Sequence, residues 1–347
     1  MPTKPIPAQE NLAVLSHQMN EILMSLPGEF ELIERYFAPL AAEGSFSLRD
    51  DAALLDVPEG KELVVTQDAI AAGVHFFPDD PPDTIARKAI RVNLSDLASK
   101  GAVPVTFSLA LGLHSDCTED WLVKFVDGIA EDCSKFSLSI CGGDTFKVTQ
   151  GPVVSITAFG LVDKGSYTSR LGASVGDELF VSGQIGLGAL GLRVRQGTIS
   201  LPDQASADSF LSRYLVPEPP VKLASAISNY ASASMDISDG FVGDLEKLAS
   251  ASGLGFDIPF ESIPLPTVLD NLPQDSMEIS VALTGGDDYQ FIFTVPAERV
   301  DDMLASTKGL DIQLSHLATA NDRPGSVQIK TDDGHQIDLN KKSWRHF

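Results

Sequence analysis

Cysteine is scarce in this chain of 347 residues, which contains only Cys117, Cys133 and Cys141. Three cysteines without a C-x-x-C pair make neither a complete disulfide framework nor a zinc site of common spacing. Basic residues are also few, with 25 lysines and arginines against 48 aspartates and glutamates and a net charge of −23. Because such a chain is poorly suited to nucleic-acid backbones and anionic membrane surfaces, we expect neither as a partner.

Long hydrophobic runs are absent as well. The sequence has no stretch of about 18 apolar residues, the length that a membrane-spanning helix needs. Lys4 is not followed by an apolar segment of the kind found in secretory signals, so we expect a cytoplasmic protein. Residues 1–27 are a weakly patterned leader, for which an amphipathic helix and a disordered tail are equally compatible with the sequence.

The length and the apolar fraction of 43% predict two globular domains. Helices are predicted over 28–37, 84–100, 119–133 and 241–252, and strands over 104–113, 153–162, 177–182 and 291–295. This alternation indicates an α/β or α+β fold with an N-terminal domain over 28–165 and a C-terminal domain over 166–347. The stretch 164–176, rich in glycine and serine, is predicted to join them.

The sequence Gly142-Gly143-Asp144-Thr145 follows a short apolar strand predicted at 138–140. Taken alone, it is more often an ordinary turn that ends a strand. The alternative is a functional loop, because glycine N–H groups can face phosphate oxygens and an aspartate can hold Mg²⁺.

Acidic residues recur at predicted strand ends, turns or a polar helix face: Asp51, Asp68, Asp96, Asp144, Asp236 and Asp287. If they converge, their repulsion requires divalent cations, and oxygen-only ligands favour Mg²⁺. Mg²⁺ usually binds a few carboxylates together with substrate phosphates, which predicts phosphoryl transfer from a nucleotide. The chain has no P-loop motif. Its G-x-G-x-x-G at 186–191 lacks the downstream acidic residue of a dinucleotide site, so it predicts only close helix packing.

Several of these positions have simpler explanations. In the helix predicted over 84–100, Asp83 is the expected N-cap and Gly101 the residue after the C-cap. Asn93, Asp96 and Lys100 share one face of this helix. Asp239 has the position of an N-cap for the next helix. His75 between apolar residues is more often packed than functional.

The ordered set of motifs resembles the thiamine-monophosphate kinase family, within the superfamily of aminoimidazole ribonucleotide synthase and selenophosphate synthetase. The resemblance runs from about Gly28 to Phe347. It rests on Gly28-Glu29-Phe30-Glu31-Leu32-Ile33, Asp50-Asp51-Ala52-Ala53, Thr66-Gln67-Asp68, Gly73-Val74-His75-Phe76, Asn93-Leu94-Ser95-Asp96-Leu97-Ala98, Gly142-Gly143-Asp144-Thr145, Met235-Asp236-Ile237-Ser238-Asp239-Gly240 and Gly285-Gly286-Asp287-Asp288-Tyr289.

This resemblance implies a two-domain aminoimidazole ribonucleotide synthase-like fold, with an N-terminal mixed sheet plus helices and a C-terminal α/β domain. It also implies a homodimer that transfers the γ-phosphoryl group of ATP directly to thiamine phosphate, giving thiamine diphosphate. Several Mg²⁺ ions would be held by Asp51, Thr66, Asp68, Asp96, Asp144, Asp236 and Asp239. ATP would contact Gly143, Asp144, Arg170 and Ser238; thiamine phosphate would contact His75, Asp287 and Trp344. Asp144, Asp68, Asp96 and Arg170 would be the catalytic set.

The chain departs from the family pattern at three of these positions. Arg49 stands where a glycine is usual, and could tighten its loop or contact phosphate. Gln67 replaces a threonine, which puts one metal contact in doubt. Asp287 replaces a glutamate, so its reach towards substrate is shorter.

Three alternative functions would each require different sequence features. Selenophosphate synthetase needs a reactive cysteine near the N-terminus, where residues 1–50 have none. A hydrogenase-maturation relative needs a C-terminal cysteine, whereas this chain ends in Trp344-Arg345-His346-Phe347. A non-catalytic nucleotide- or metal-binding regulator would not need the intact acidic set.

Overall fold

A computed structural model describes residues 26–199, 201, 203–331 and 333–337 of this chain. The leader up to residue 25 and Trp344, a predicted substrate contact, lie outside the described residues. Within the described part, no helix combines the length and the hydropathy needed to cross a membrane.

The first half of the chain builds a mixed sheet with helices. A short helix α1 (Glu29–Leu32) continues into a π-helical turn (Ile33–Phe37). There follow β1 (Lys61–Ala71), α2 (Pro82–Ser99), β2 (Val103–Leu113), α3 (Glu119–Phe136), β3 (Ser139–Lys147) and β4 (Val153–Asp163). The sheet order is β1-β4-β2-β3, with β2 and β3 parallel and the other pairs antiparallel. The prediction of a mixed sheet with helices is thus confirmed.

Helix α2 begins earlier than its sequence pattern predicted. Its N-cap is Pro81 and Pro82 occupies the first turn, where the missing N–H costs nothing. The prediction that Asp83 caps this helix is therefore wrong, because Asp83 lies inside the first turn. At the other end Gly101 has φ +79, which fits the predicted residue after the C-cap.

The Gly142-Gly143-Asp144-Thr145 stretch does not end a strand. It lies inside β3, paired with Ser108 to Leu111 of β2, so the prediction of a strand-ending turn is wrong. Gly143 is needed for close approach instead of a turn, since a Cβ there would lie 2.0 Å from the carbonyl oxygen of Leu109. Gly143 is therefore required by the closeness of the neighbouring strand and not by a turn of its own chain.

The second half builds an antiparallel sheet, ordered β6-β8-β5-β9, and a parallel pair, β10-β7. Its strands are β5 (Glu178–Ser182), β6 (Ala233–Asp236), β7 (Phe256–Pro259), β8 (Phe291–Val295), β9 (Leu314–Thr319) and β10 (Val327–Lys330). Its helices are α4 (Leu187–Arg195), α5 (Gln204–Leu215), α6 (Ala224–Tyr230), α7 (Phe241–Ser252), α8 (Met277–Thr284) and α9 (Val300–Thr307).

Helix α2 belongs to both halves. Its residues Ile85, Ile90 and Leu94 pack in the core of the first sheet. On another side, Ala98 packs with Phe180 and Phe291 of the second sheet. The polar groups of α2 are therefore placed at the boundary between the two domains.

One face of the first sheet has exposed apolar residues. Along β1, Val64 and Ile70 pack on the core that includes α2 and α3. Leu63 and Val65, which point the other way, are 37% and 53% exposed. The sheet thus presents an apolar face on the side opposite its helices.

Candidate functional site

A cleft of about 410 Å³ lies between α2 and β1 on one side and the second domain on the other. Its wall includes five of the predicted site residues, Asp68, His75, Ser238, Asp239 and Asp287, together with Gly285, Gly286 and Tyr289 from the same motifs. The fold therefore brings together residues that are more than 200 positions apart in sequence.

The first wall of the cleft is formed by β1 against the polar face of α2. Thr66 donates a hydrogen bond to Asp96 at 2.6 Å, and the backbone N–H of Asp68 donates to Asn93 at 3.0 Å. The shared polar face predicted for Asn93 and Asp96 is confirmed by these contacts. Gln67, between Thr66 and Asp68, points to the opposite sheet face and donates to Ser155 at 3.2 Å.

The second wall begins where β6 ends. The carboxylate of Asp236 is buried and accepts a hydrogen bond from Ser95 of α2 at 2.7 Å. Lys100, at the end of α2, donates from Nζ to the carbonyl oxygen of Ser234 at 2.5 Å. Both contacts cross the domain boundary, so they fix Asp236 opposite the carboxylates of the first domain.

The sequence position of Asp239 predicts an N-cap for α7, and this prediction is wrong. Gly240, with φ +122, occupies the cap, and no side chain caps the helix there. The buried Asp244 accepts instead from the backbone N–H groups of Ser238 and Asp239, at 3.0 and 2.9 Å. Asp239 itself pairs with Lys247 at 2.6 Å and lines the cleft.

The carboxylates of the cleft resist ionisation. Burial, together with the charges of Asp96 and Asp239, raises the pKa of Asp68 to about 6, although its side chain opens onto the cleft. Burial and the Asp96 charge raise the pKa of Asp236 to about 7. Burial also raises the pKa of Asp96, against the opposing Thr66 hydrogen bond and the cations Lys100 and Arg170. Burial is therefore the largest influence on the ionisation of all three carboxylates.

Arg170 lies in the segment between the two sheets, where its side chain is exposed. Its backbone carbonyl accepts from Ser252, and its charge acts on both Asp96 and Lys100. The structure thus brings Arg170 close to Asp96 and Lys100, at the C-terminal end of α2.

The other predicted residues lie at a second site, on the opposite edge of the first sheet. Asp50, Asp51, Gly143 and Asp144 line a smaller pocket of about 130 Å³ beside β3. Its apolar lining includes Ile33, Phe37, Leu48, Leu109 and Ile140. Three strand spacings, or about 14 Å, separate the β3 edge from the β1 edge.

The six acids do not converge on one site in this structure. Among the described residues, no group of three Asp, Glu, His or Cys side chains is placed to hold a metal ion. Arg49 pairs with Glu34 at 2.6 Å on the surface. Asp51 is exposed there, with its N–H donating to Asp50 at 2.8 Å.

The predicted substrate contacts that the structure describes, His75 and Asp287, both line the cleft. The Nδ1 atom of His75 accepts from the N–H of Ala71 at 3.1 Å, and the residue is half-buried. Asp287 pairs with the buried Lys88 at 3.0 Å. Our sequence reasoning missed Lys88; its one signal was a lysine among apolar residues of a buried helix.

A glycine-rich turn places the helix that borders the cleft. Gly186, with φ +92, is the N-cap of α4. The N–H groups of Gly186 and Gly188 donate to the buried carboxylate of Asp288, at 2.7 and 3.0 Å. The G-x-G-x-x-G sequence therefore serves close packing of a helix, as predicted.

Comparisons with known proteins cover most of the chain. The family descriptions "AIR synthase related protein, N-terminal domain" and "AIR synthase related protein, C-terminal domain" match residues 49–162 and 174–330. The thiamine-monophosphate kinase of Escherichia coli (strain K12) is 34% identical, over 92% of this chain and 98% of that protein. The thiamine-monophosphate kinase of Caulobacter vibrioides is 37% identical, over 92% of this chain and 91% of that protein.

A solved structure described as "AaThiL complexed with AMPPCP and TMP" is 27% identical, with a TM-score of 0.72. The match covers 99% of this chain and 100% of that structure. Sequence and fold agree over both halves of the chain. The chain therefore belongs to the thiamine-monophosphate kinase family.

Proposed function

We propose that this protein transfers the γ-phosphoryl group of ATP to thiamine phosphate, forming thiamine diphosphate and ADP. The observation that carries the proposal is the cleft lined by Asp68, His75 and Asp287, with Asp96 and Asp236 hydrogen-bonded beside it at the boundary between the domains. A family relative whose structure carries AMPPCP and TMP supports the two substrates. Free cysteines throughout the described residues are in keeping with a reducing cytoplasm, where we place the reaction.

The donor set of the cleft fits Mg²⁺. Its carboxylates have raised pKa values chiefly because they are buried, and they are hard oxygen ligands of the kind Mg²⁺ prefers. We propose Thr66, Asp68, Asp96, Asp236 and Asp239 as the cleft ligands, and Asp51 and Asp144 as those beside β3. When bound, Mg²⁺ would offset charge on the phosphates.

The chain's own residues would supply orientation more than proton transfer. The terminal phosphate of thiamine phosphate is already an anion, so no general base is needed for its attack on the γ-phosphorus. Arg170 and Lys100, which lie near Asp96 and Asp236, would stabilise negative charge on the group in transfer. The phosphoryl group would pass directly between the substrates, without a phosphoenzyme.

We propose that a homodimer completes this site. Gly143 and Asp144 lie about 14 Å across the sheet from β1, while the proposed ATP contacts Arg170 and Ser238 belong to the cleft region. One subunit thus separates groups that a nucleotide and its metals would need together. The exposed apolar face at Leu63 and Val65 is suited to a second copy, which would bring the β3 edge of one subunit to the cleft of the other.

Purified protein with Mg²⁺ and ATP should convert thiamine phosphate to thiamine diphosphate, measured by chromatography of the products. The Asp144→Asn variant should lose nearly all of this activity but keep its circular dichroism spectrum, because Asp144 is exposed and makes no core contact. An aminoimidazole-type substrate serves as the comparison. Turnover of that substrate, but not of thiamine phosphate, would refute the proposal.

Metal-free protein should lose thermal stability as the pH rises from 5 to 8. The folded pKa values of Asp68 and Asp236, about 6 and 7, lie above the ordinary value, so the folded state binds more protons in this range. Their contribution to stability is present at low pH and is lost as the pH passes 6 to 7. Adding Mg²⁺ should therefore raise the melting temperature at pH 8 much more than at pH 5.

Calorimetry at matched ionic strength measures this effect. The neighbouring charges are Asp96, Asp239, Asp244, Lys100 and Arg170. Sodium chloride of equal ionic strength controls for general screening of the acidic surface. An Mg²⁺ effect of equal size at pH 5 and pH 8 would contradict carboxylate binding of the ion.

A further inference from the structure

Lys88 is a buried cation directly behind the cleft wall. It lies in the middle of α2 and is 2% exposed. An unpaired ammonium group in such a place would be strongly unfavourable, so its contacts show how it is tolerated. Nζ donates to Asp287 Oδ2 at 3.0 Å and to the carbonyl oxygen of His75 at 3.1 Å, and it lies 4.0 Å from the ring centre of Tyr214.

These contacts join parts of the chain that are far apart in sequence. Tyr214 of α5 also reaches the carbonyl oxygen of His75 with its hydroxyl, at 3.5 Å. Asp287 has φ +72, a left-handed conformation that is unfavourable for a residue with a side chain. Lys88 therefore stabilises a strained backbone turn at Asp287 and holds the His75 segment beside it.

The two oxygens of Asp287 differ in their surroundings. Oδ2 faces Lys88, whereas Oδ1 has a long contact of 3.4 Å with the hydroxyl of Tyr289. The carboxylate is 27% exposed and lines the cleft. Because its charge is already balanced by Lys88, Asp287 offers the cleft a directed hydrogen-bond acceptor more than a free negative charge.

We infer that Lys88 is a positioning residue for the substrate wall, and that Asp287 Oδ1 accepts a hydrogen bond from a neutral N–H donor of the ligand. The inference rests on the proposed function. In thiamine phosphate the donor of this class is the amino group of the aminopyrimidine, and the cationic thiazolium ring is bound elsewhere in the cleft. Lys88 acts through Asp287 and His75 and does not itself contact substrate.

The Lys88→Met variant tests this role, because methionine matches the length of lysine without its charge. We expect the KM for thiamine phosphate, and its Kd by calorimetry, to rise about tenfold, as for a lost hydrogen bond to a charged group. The KM for ATP and the kcat should stay within about twofold. Lys88→Arg, which keeps the charge, should recover part of the affinity.

A substrate analogue separates the two possible roles of Asp287. Oxythiamine phosphate has a ring oxo group in place of the amino group, so it presents an acceptor where the amino N–H donor stood and carries its N–H on the neighbouring ring nitrogen. Wild-type protein should bind it more weakly than thiamine phosphate, and Lys88→Met should leave its Kd unchanged. If Lys88→Met leaves the Kd for thiamine phosphate unchanged or lowers it, Asp287 acts as a free counter-charge and the inference is wrong.

Controls distinguish this inference from a general structural role. Lys135 has the same kinds of contact away from the cleft, with Glu218 at 3.7 Å and the ring of Phe136 at 5.3 Å. Lys135→Met should leave both KM values unchanged. If Lys88→Met does not fold, Asp287→Asn should show the same selective loss of thiamine phosphate affinity. Equal affinities of the wild-type protein for thiamine phosphate and oxythiamine phosphate would overturn the inference.

The failure of the proposed function would look different. Wild-type protein that binds thiamine phosphate but does not phosphorylate it refutes the kinase proposal alone, while the Kd values still judge Lys88. Wild-type protein that does not bind thiamine phosphate refutes both.

Discussion

Asp96→Asn should lower kcat by about 10³-fold without destabilising the metal-free protein. Asparagine can still accept the hydrogen bond that Thr66 donates to Asp96 at 2.6 Å, so the contact between β1 and α2 is kept. The negative charge near Asp68 and Asp236 is lost, and with it a proposed ligand of Mg²⁺. Because the protein around Asp96 raises its pKa, a neutral side chain there is favoured in the folded state.

The two readouts of this variant should therefore move in opposite directions. Steady-state kinetics would show the loss of turnover, and calorimetry of metal-free protein at pH 8 would show an unchanged or higher melting temperature. Asp163→Asn is the matched control, since Asp163 pairs with Lys61 on the surface at 2.7 Å and should be dispensable. A stable Asp96→Asn variant with normal kcat would remove Asp96 from the catalytic set.

Two inactive variants should restore activity when their subunits are mixed. If Asp144 of one subunit acts with Asp68 of the other, a heterodimer of Asp144→Asn and Asp68→Asn contains one site with both aspartates intact. Random exchange would then recover about a quarter of wild-type activity from an equal mixture. If all ligands came from a single subunit, neither subunit of the heterodimer would be complete and no activity would return.

Assembly itself provides the control for subunit mixing. Val65→Lys places two like charges on the apolar sheet face of a symmetric dimer and should weaken it by about 100-fold or more. Introducing this change into both inactive variants should abolish recovery. Val123→Lys, on the exposed side of α3, should leave recovery intact. Light scattering reports the oligomeric state, and a monomeric yet fully active wild type would contradict the shared site.

The local elements of this fold were largely predictable from the sequence. The helix predicted over 241–252 has the same bounds in the structure, because a glycine precedes it and a glycine follows it. The polar face of α2 was also predictable, since a period of 3.6 residues places Asn93, Asp96 and Lys100 together. The order of the motifs along the chain identified the family, although each motif by itself is common.

Features set by tertiary contacts were not predictable. Gly143 looked like a turn because nothing in the sequence shows that Leu109 of β2 lies against it. Lys88 was missed because its partner Asp287 is 199 positions away. The placement of Asp68 and Asp144 at opposite edges of one sheet depends on strand order, which no local pattern encodes.

Helix α2 has one more consequence, for how this protein can change over evolutionary time. It packs in the cores of both halves, and the buried Arg91 joins Asp132 of the first domain at 2.7 Å to the carbonyl oxygen of Pro217 at 3.0 Å. Removing either half would leave this charge network incomplete inside a core. The two domains are therefore not exchangeable modules, and recombination between relatives would succeed only where α2 and its partners in both halves are inherited together.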